Sequence, residues 1–288
     1  MIARFSRRAS AVFAFLAAGA AAAQQPPATA PTPAPAGARW IVDESGDTCV
    51  MGRQVAAEPD VTLAVRTYPG SGGYDLRFVR ADWTPVAASA AEQLELRLTP
   101  TVAYSRARSA VLMSADGAQA LRFGSLPSEF LAAFAQSSAL TVRNGDAVVA
   151  TYVLPQASAV AAVFADCEAG KLIDWGADPA GFEPGATRPR AIGSARDWYS
   201  GAVPEPTEGW FRVAARLTIG TDGQPTDCVI LDASHDFFRT GACARLLELA
   251  RYEPARDARR NPVRSVVIVA SEWGLRRNQF TTTEMIRN

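Results

Sequence analysis

Several features that would point to a known chemistry are scarce in this sequence. Lys171 is the only lysine and His235 the only histidine, so a zinc site built on imidazoles is poorly supplied. Acidic and basic residues balance at 29 each, and a chain without net charge creates no global field for nucleic acid or acidic lipid. No two cysteines have the CxxC spacing of a redox or zinc motif. We therefore expect no nucleic-acid partner, no cofactor and no metal.

The stretch LTIGTDGQPTDCVIL, residues 217–231, contains two aspartates that suggest a metal loop or an acid pair. A calcium loop of the EF-hand type needs oxygen ligands at alternate positions and a closing glutamate. A pair of catalytic carboxyl groups needs a cleft and a perturbed pKa. The stretch instead turns apolar after Asp227. Because Asp222-Gly223 is typical of a hairpin turn, we interpret the aspartates as turn residues.

Two other stretches resemble parts of catalytic motifs. Ser234, His235 and Asp236 are the residue types of a hydrolase triad, but consecutive loop residues rarely converge through side-chain hydrogen bonds. We interpret them as the start of a helix that Ser234 or Asp236 caps. YPGSGGY, residues 68–74, lacks the lysine and hydroxyl residue of a phosphate loop and predicts a hairpin connection. We therefore predict that the protein is not an enzyme, with a hydrolase as a disfavoured alternative.

The N-terminus has the pattern of a secretory signal peptide. Arg4, Arg7 and Arg8 precede the run SAVFAFLAAGAAAA, which ends in small residues before Gln24. A basic region, a short apolar region and an Ala-X-Ala-like site predict cleavage after Ala23. The alternative is an uncleaved inner-membrane anchor, although a spanning helix needs about 20 strongly apolar residues. Cleavage would place the mature chain in the periplasm.

Composition and apolar periodicity divide the chain into segments of an α+β protein with two small domains. The predicted segments are a signal peptide (1–23), a Pro/Ala-rich spacer (24–38), an α+β domain of unknown type (39–173), a Pro/Gly-rich linker (174–197), a smaller domain (198–273) and a polar tail (274–288). In the first domain, Asn144-Gly145 predicts a type I′ hairpin turn. The pattern of the smaller domain predicts the order strand, strand, helix, strand, with the helix covering one face of an antiparallel sheet.

Four cysteines in an oxidising compartment predict two disulfides. Cys228 lies on the inward face of a strand, and Cys243 shares a helix face with Leu246, Leu247 and Ala250. We expect Cys228 to pair with Cys243. By elimination Cys49 then pairs with Cys167, so that each predicted domain has its own disulfide, and this division favours the pairing over the two interdomain alternatives.

Residues 198–273 contain an ordered set of motifs: Gly209 before the first strand, Ile219 and Asp222-Gly223 at the hairpin, the helix, Tyr252-X-Pro254-Ala255 after it, and Pro262-Val263 before the final strand. In this set the segment resembles the TonB C-terminal domain. One periplasmic branch of that family carries a cysteine pair at the two positions found here. The sequence departs from the family pattern in having Tyr199-Ser200 ahead of the first strand and DASHDFF before the helix.

The resemblance implies a protein-binding function. In that family a sheet edge pairs with a short receptor segment, which is a form of β-augmentation. The last strand is apolar on both faces, so it either presents an edge for another chain or is buried against the first domain or a second copy. Its residues, the predicted partner-binding edge, are Ser265, Val266, Val267, Ile268, Val269 and Ala270. We expect an envelope protein as partner, for instance a TonB-dependent receptor. The alternatives are a homodimer through this strand and, with an uncleaved anchor, an energy-transducer-type component of TonB-dependent transport.

Overall fold

The computed structural model describes residues 39–55, 58–80, 94–100, 102–104, 108–113, 119–199, 209–276 and 279–283. These residues belong to one compact unit. The predicted signal peptide, residues 1–23, and the spacer, residues 24–38, lie outside the described residues. Within the described ranges, no helix is both long and apolar enough to cross a membrane.

The first part of the chain contains two antiparallel sheets. The six-stranded sheet has the order β1-β2-β3-β4-β8-β7, and the four-stranded sheet has the order β10-β9-β5-β6. The strands are β1 (Ile41–Asp43), β2 (Cys49–Val55), β3 (Glu58–Thr67), β4 (Tyr74–Arg80), β5 (Leu94–Thr99), β6 (Val102–Tyr104), β7 (Arg108–Met113), β8 (Gln119–Leu126), β9 (Ala139–Asn144) and β10 (Ala147–Val153). The sequence predicts most of these strands because apolar side chains recur at every second residue along them.

Both sheets and two helices share one hydrophobic core. The helices are α1 (Phe130–Ala135) and α2 (Ala157–Asp174), which pack against each other. Phe78 of β4 stacks on Tyr152 of β10, with ring centroids 4.8 Å apart, and so joins the two sheets. Phe164 of α2 is fully buried in the same core.

The hairpin between β9 and β10 differs from its predicted turn. Asn144 pairs with Ala147, so Gly145 and Asp146 form the two-residue loop. Gly145 has φ +56°, whereas neither Asn144 nor Asp146 has a positive φ. A type I′ turn needs positive φ at both central residues, and the prediction of that turn at Asn144-Gly145 is therefore wrong.

The second part of the chain forms another four-stranded antiparallel sheet with a helix on one face. Its strand order is β13-β12-β17-β18. Its elements are β12 (Gly209–Ile219), β13 (Pro225–Ala233), the helix α4 (Asp236–Leu249), β17 (Ser265–Arg276) and β18 (Gln279–Thr283). The strand β17 therefore continues past the predicted boundary at residue 273, and β18 lies within the predicted polar tail. The α+β class is confirmed.

Every second side chain of β12 faces the core, as the alternating sequence predicts. Phe211, Val213, Ala215, Leu217 and Ile219 are buried against Phe238, Ala242 and Leu246 of α4. The inward face of this helix was predicted to include Leu247, but that side chain is 40% exposed. The buried positions follow the i, i+4 spacing of Phe238, Ala242 and Leu246, which puts Leu247 at the edge of the apolar stripe.

Residues 174–197, predicted as a linker, contain regular elements and contact the second part of the chain. They hold a 3₁₀ helix (Pro179–Phe182), β11 (Arg190–Ala191) and the beginning of α3 (Ala195–Tyr199). The strand β11 pairs with β14 (Tyr252–Glu253). Nearby, β15 (Ala255–Arg256) pairs with β16 (Pro262–Val263), and the backbone of Thr187 exchanges two hydrogen bonds with that of Arg256. Small clusters of buried residues also join the two parts, with Tyr68 and Trp175 packed against Ile268.

Candidate functional site

The predicted partner-binding edge, Ser265–Ala270, is the first half of β17. Every one of its residues is at most 6% exposed. One side of the strand pairs with β12 from Ile219↔Ser265 to Ala214↔Ala270. The side chains of Val267 and Val269 enter the core under α4, whereas Ile268 and Ala270 lie on the opposite face. Both faces are therefore buried within this chain.

The opposite face of β17 packs against the first part of the chain. Val266 lies in a cluster with Leu172 of α2. A Cβ built on Gly70, in the loop between β3 and β4, would lie 3.2 Å from the carbonyl oxygen of Val266 and 3.0 Å from Leu172. Gly70 has φ +78°, so both its backbone conformation and this close approach favour glycine. Burial against the first part of the chain, the alternative weighed above, is the arrangement observed.

The sheet has two open edges, one on β13 and the other on β18. Among the described residues, only β12 pairs with β13. Thr226, Asp227 and Val229 of this strand are exposed. Val229 is a hydrophobic residue with 37% of its surface accessible to solvent. A register shift opposite Ala214 and Ala215 interrupts the ladder near Leu231. The regular part of the open edge therefore spans residues 227–230, with Thr226 at a second register shift beside the turn.

Two disulfides stabilise the fold, in the pairing predicted from the sequence. Cys228 of β13 bonds Cys243 of α4, with Cα atoms 5.6 Å apart. Cys49 of β2 bonds Cys167 of α2, with Cα atoms 6.2 Å apart. The first of these fixes the open edge strand to the helix that covers the sheet. The second joins the start of the first part to its longest helix.

The hairpin that opens β13 interlocks with the turn after α4. Gly223 has φ +80°, and a Cβ on it would lie 1.9 Å from the carbonyl oxygen of Tyr252. The backbone N–H of Tyr252 donates to the carbonyl oxygen of Gly223 at 2.9 Å. Asp222 accepts a hydrogen bond from the N–H of Gln224 at 3.0 Å, as a turn aspartate does. The Asp-Gly turn and the Tyr-X-Pro-Ala turn are therefore one packed unit.

Ser234, His235 and Asp236 do not form a catalytic array. The Oγ of Ser234 accepts from the backbone N–H of Arg212 at 2.8 Å. Asp236 is almost fully exposed and lies 3.6 Å from the guanidinium of Arg239. The residue that caps α4 is His235, and its side chain makes no capping hydrogen bond. The prediction that Ser234 or Asp236 caps this helix is wrong, because the serine hydroxyl is used by the neighbouring strand.

A cleft with a volume of about 160 Å³ at the junction of the two parts is lined by ion pairs. Arg122 of β8 donates to Asp75 of β4 at 2.8 Å and to Glu272 of β17 at 3.1 Å. Burial alone lowers the pKa of Arg122, but the two carboxylates outweigh it, and the pKa is raised. Nearby, the guanidinium of Arg216 lies 5.2 Å from the ring centre of Trp175. The ion pairs of Arg122 join the C-terminal sheet to the six-stranded sheet, and the contact of Arg216 joins it to the end of α2.

The described ranges contain no cluster of metal-ligating side chains. No group of three or more histidine, cysteine, aspartate or glutamate side chains in these ranges is positioned to hold a metal ion. Asp222 lies in the turn, and Asp227 faces Thr218 across the hairpin ladder. Both are exposed.

Sequence reasoning missed one partly buried carboxyl group, Glu168 of α2. The hydroxyl of Tyr74 donates to its Oε2 at 3.1 Å. Burial raises the pKa of Glu168 to about 7, against the opposing effects of Tyr74 and Arg188. A signal was present, because Glu168 lies four residues after Phe164 on the face of α2 that the core buries.

The chain was compared with known proteins at three levels. No protein-family model matches it, and searches of curated proteins and of solved structures found no match either. The resemblance to the TonB C-terminal domain therefore rests on the residues from Gly209 to Val263 given above.

Proposed function

We propose that this chain is a non-enzymatic protein-binding module of the periplasm with a TonB-like C-terminal domain. It pairs an edge of its C-terminal sheet with a short extended segment of an envelope protein, such as a TonB-dependent receptor. The observation that carries the proposal is the open outer edge of β13, where Thr226, Asp227 and Val229 are exposed. An open edge presents unpaired backbone N–H and C=O groups to which another chain adds as a strand.

The TonB-like character of this domain is supported by element order and by one packing contact. The strands β12 and β13, the helix α4 and the strand β17 follow each other in the order expected from the resemblance. The contact is between Gly223 and Tyr252, which belong to two separate parts of the motif set. Their direct packing gives a physical reason for the two motif parts to occur together.

The proposed binding edge differs from the one predicted from sequence. Ser265–Ala270 has β12 on one side and buried side chains on both faces. Exposing those residues to a partner would require separating the two parts of the chain, which the ion pairs of Arg122 oppose. The strand β13 requires no such separation.

The compartment is supported by the cysteines. Both disulfides close within the chain, and the described residues contain no free cysteine. Disulfides persist in oxidising compartments such as the periplasm and are rare where thiols are kept reduced. A partner that this protein meets there is an envelope protein.

Site-specific photocrosslinking in the native host tests the proposal. A photoreactive phenylalanine replaces Val229 on the open edge or, as a matched control, Val163, an exposed valine on α2. We expect a discrete envelope protein to crosslink at Val229 and not at Val163. A product formed equally at both positions, or none at Val229, would contradict the proposal. A product that contains two copies of this chain would identify a homodimer instead of an envelope partner.

An energy-transducer-type component of TonB-dependent transport is the second candidate. The observation that favours it is the apolar run in residues 10–23, which would serve as an anchor if it is not cleaved. Membrane fractionation with N-terminal sequencing separates the two. A mature chain that begins at Gln24 in the soluble fraction contradicts the transducer, whereas an intact Met1 in the membrane fraction contradicts the secreted module.

A further inference from the structure

A second concave region lies beneath the buried half of β17, away from the open edge. It is a cavity with a volume of about 430 Å³, which is within the usual range of small-molecule sites, about 300–1,000 Å³. Parts of α2, of the loop before β4 and of the segment after α2 enclose it together with Arg264–Val267. We call it the Glu168 cavity, after the carboxyl group in its wall.

The carboxyl group of Glu168 has unused hydrogen-bonding capacity. It receives one hydrogen bond, from Tyr74, and no other from the described residues. A carboxyl group accepts several hydrogen bonds and, when protonated, also donates one. Glu168 can therefore bond to a molecule held in the cavity.

Two arginines bring positive charge to the same cavity. The guanidinium of Arg188 stacks on the ring of Phe182, 3.9 Å from its centre. Neither Arg188 nor Arg264 forms an ion pair with a carboxylate of the described residues, although both line the cavity. A stacked guanidinium keeps its N–H donors free in the plane of the group, which suits a carboxylate ligand.

The remaining wall of the cavity is apolar. The partly exposed apolar residues that line it include Leu131 and Phe182. An apolar wall beside two cations matches a molecule with a hydrocarbon part and a single anionic head. A phosphate ion would leave that wall without a partner, and an ammonium ligand would meet the two arginines.

We propose that the Glu168 cavity binds a small amphipathic monocarboxylate. Its carboxylate pairs with the guanidiniums of Arg188 or Arg264, and its hydrocarbon part contacts the apolar lining of the cavity. This site does not depend on strand pairing at β13, since the two lie on different strands of the sheet.

The protonation of Glu168 couples this binding to pH. The groups that face Glu168 are Tyr74 and Arg188, and Asp178 and Arg264 line the same cavity. Burial and the neighbouring Glu168 raise the pKa of Tyr74, so its phenol stays protonated. As pH rises through about 7, Glu168 loses its proton, and the carboxylate then repels an anionic ligand. Affinity therefore falls as pH rises.

Calorimetric titration of the mature protein with octanoate, 1-octanol and octylammonium tests the proposal, because the three share one chain length. We expect octanoate to bind most tightly, and about tenfold more tightly near pH 6 than near pH 8. Glu168→Gln keeps the acceptor for Tyr74 and cannot ionise, so its octanoate affinity is independent of pH. Equal binding of 1-octanol, tighter binding of octylammonium, or no binding of any of the three overturns the proposal.

Variants of the cavity wall locate the site. Arg188→Gln weakens octanoate binding about tenfold, as expected for the loss of a hydrogen bond to a charged group. The matched control is Arg190→Gln, since Arg190 is exposed and pairs with Glu253 outside the cavity. Equal effects of the two arginine variants contradict the assignment.

Discussion

The partly buried carboxyl group of Glu168 makes the stability of this protein depend on pH in an unusual direction. Its pKa in the folded chain is about 7, against an ordinary value of 4.5. The folded state therefore holds this proton more tightly than the unfolded chain does. Ionisation of Glu168 opposes folding, so its effect is absent below about pH 4.5, grows as pH rises, and is complete above about pH 7. A difference of this size corresponds to about 3 kcal/mol.

The perturbation that isolates this effect is Glu168→Gln. The variant keeps an oxygen that accepts from Tyr74, and it removes the ionisation. The free energy of unfolding is measured by urea denaturation of both proteins from about pH 5 to about pH 8, with comparison of the two proteins at each pH so that other titrating groups cancel. We expect the variant to gain about 2.5 kcal/mol over the natural protein between the two ends of that range. An equal pH dependence in both proteins, or a natural protein that gains stability with rising pH relative to the variant, would refute the reasoning.

Three further predictions concern the contacts that hold the C-terminal sheet together. Replacing Cys228 and Cys243 by alanine removes a cross-link over 15 residues and should cost about 3 kcal/mol of unfolding free energy in urea; a loss below about 1 kcal/mol would contradict this. Gly223→Ala should lower the free energy of unfolding by more than about 2 kcal/mol. The control is Gly145→Ala, which is also at positive φ but has no atom near the added Cβ, so it should cost only the backbone strain. Equal losses of thermal stability in the two variants would show that the contact with Tyr252 is unimportant. Arg122→Gln leaves two partly buried carboxylates without their partner and should cost about 2–3 kcal/mol, measured by denaturation, with Arg143→Gln at a partly exposed position of β9 as the control; no difference between these two variants would contradict the ion-pair account.

Much of the local structure follows from patterns of a few residues. Alternating apolar side chains predict β12 because one face of that strand is covered by a single helix. The disulfide pairing followed from the faces on which Cys228 and Cys243 lie, together with an even number of cysteines. Both inferences depend on short-range periodicity, which the backbone geometry of strands and helices fixes.

Long-range packing was the part that the sequence left open. Ser265–Ala270 is apolar on both faces, but the sequence does not show whether a partner or the same chain covers the second face. In the structure Leu172 and Trp175 do so. Likewise, the proline- and glycine-rich composition of residues 174–197 predicts a linker, yet β11 is held by pairing with Tyr252 and Glu253, which lie far along the chain.

For the candidate sites, too, local patterns could be predicted from the sequence and long-range packing could not. The apolar edge strand was visible in the sequence, whereas its burial was not, and the proposed binding edge therefore moved to β13. Glu168 could have been identified from its helical spacing relative to Phe164. Its neighbours Tyr74 and Arg188 could not, because three separate segments bring these residues and Glu168 to one cavity.

Amide hydrogen exchange most directly tests whether the edge of β13 binds an extended segment. The mature protein is measured alone and with a synthetic peptide that carries the short TonB-binding segment of TonB-dependent receptors. We predict slower exchange of backbone amides in residues 226–230, with little change in β10, whose exposed edge carries Val148 and Val153. Saturating peptide that leaves residues 226–230 unchanged, or that protects β10 instead, would contradict the account.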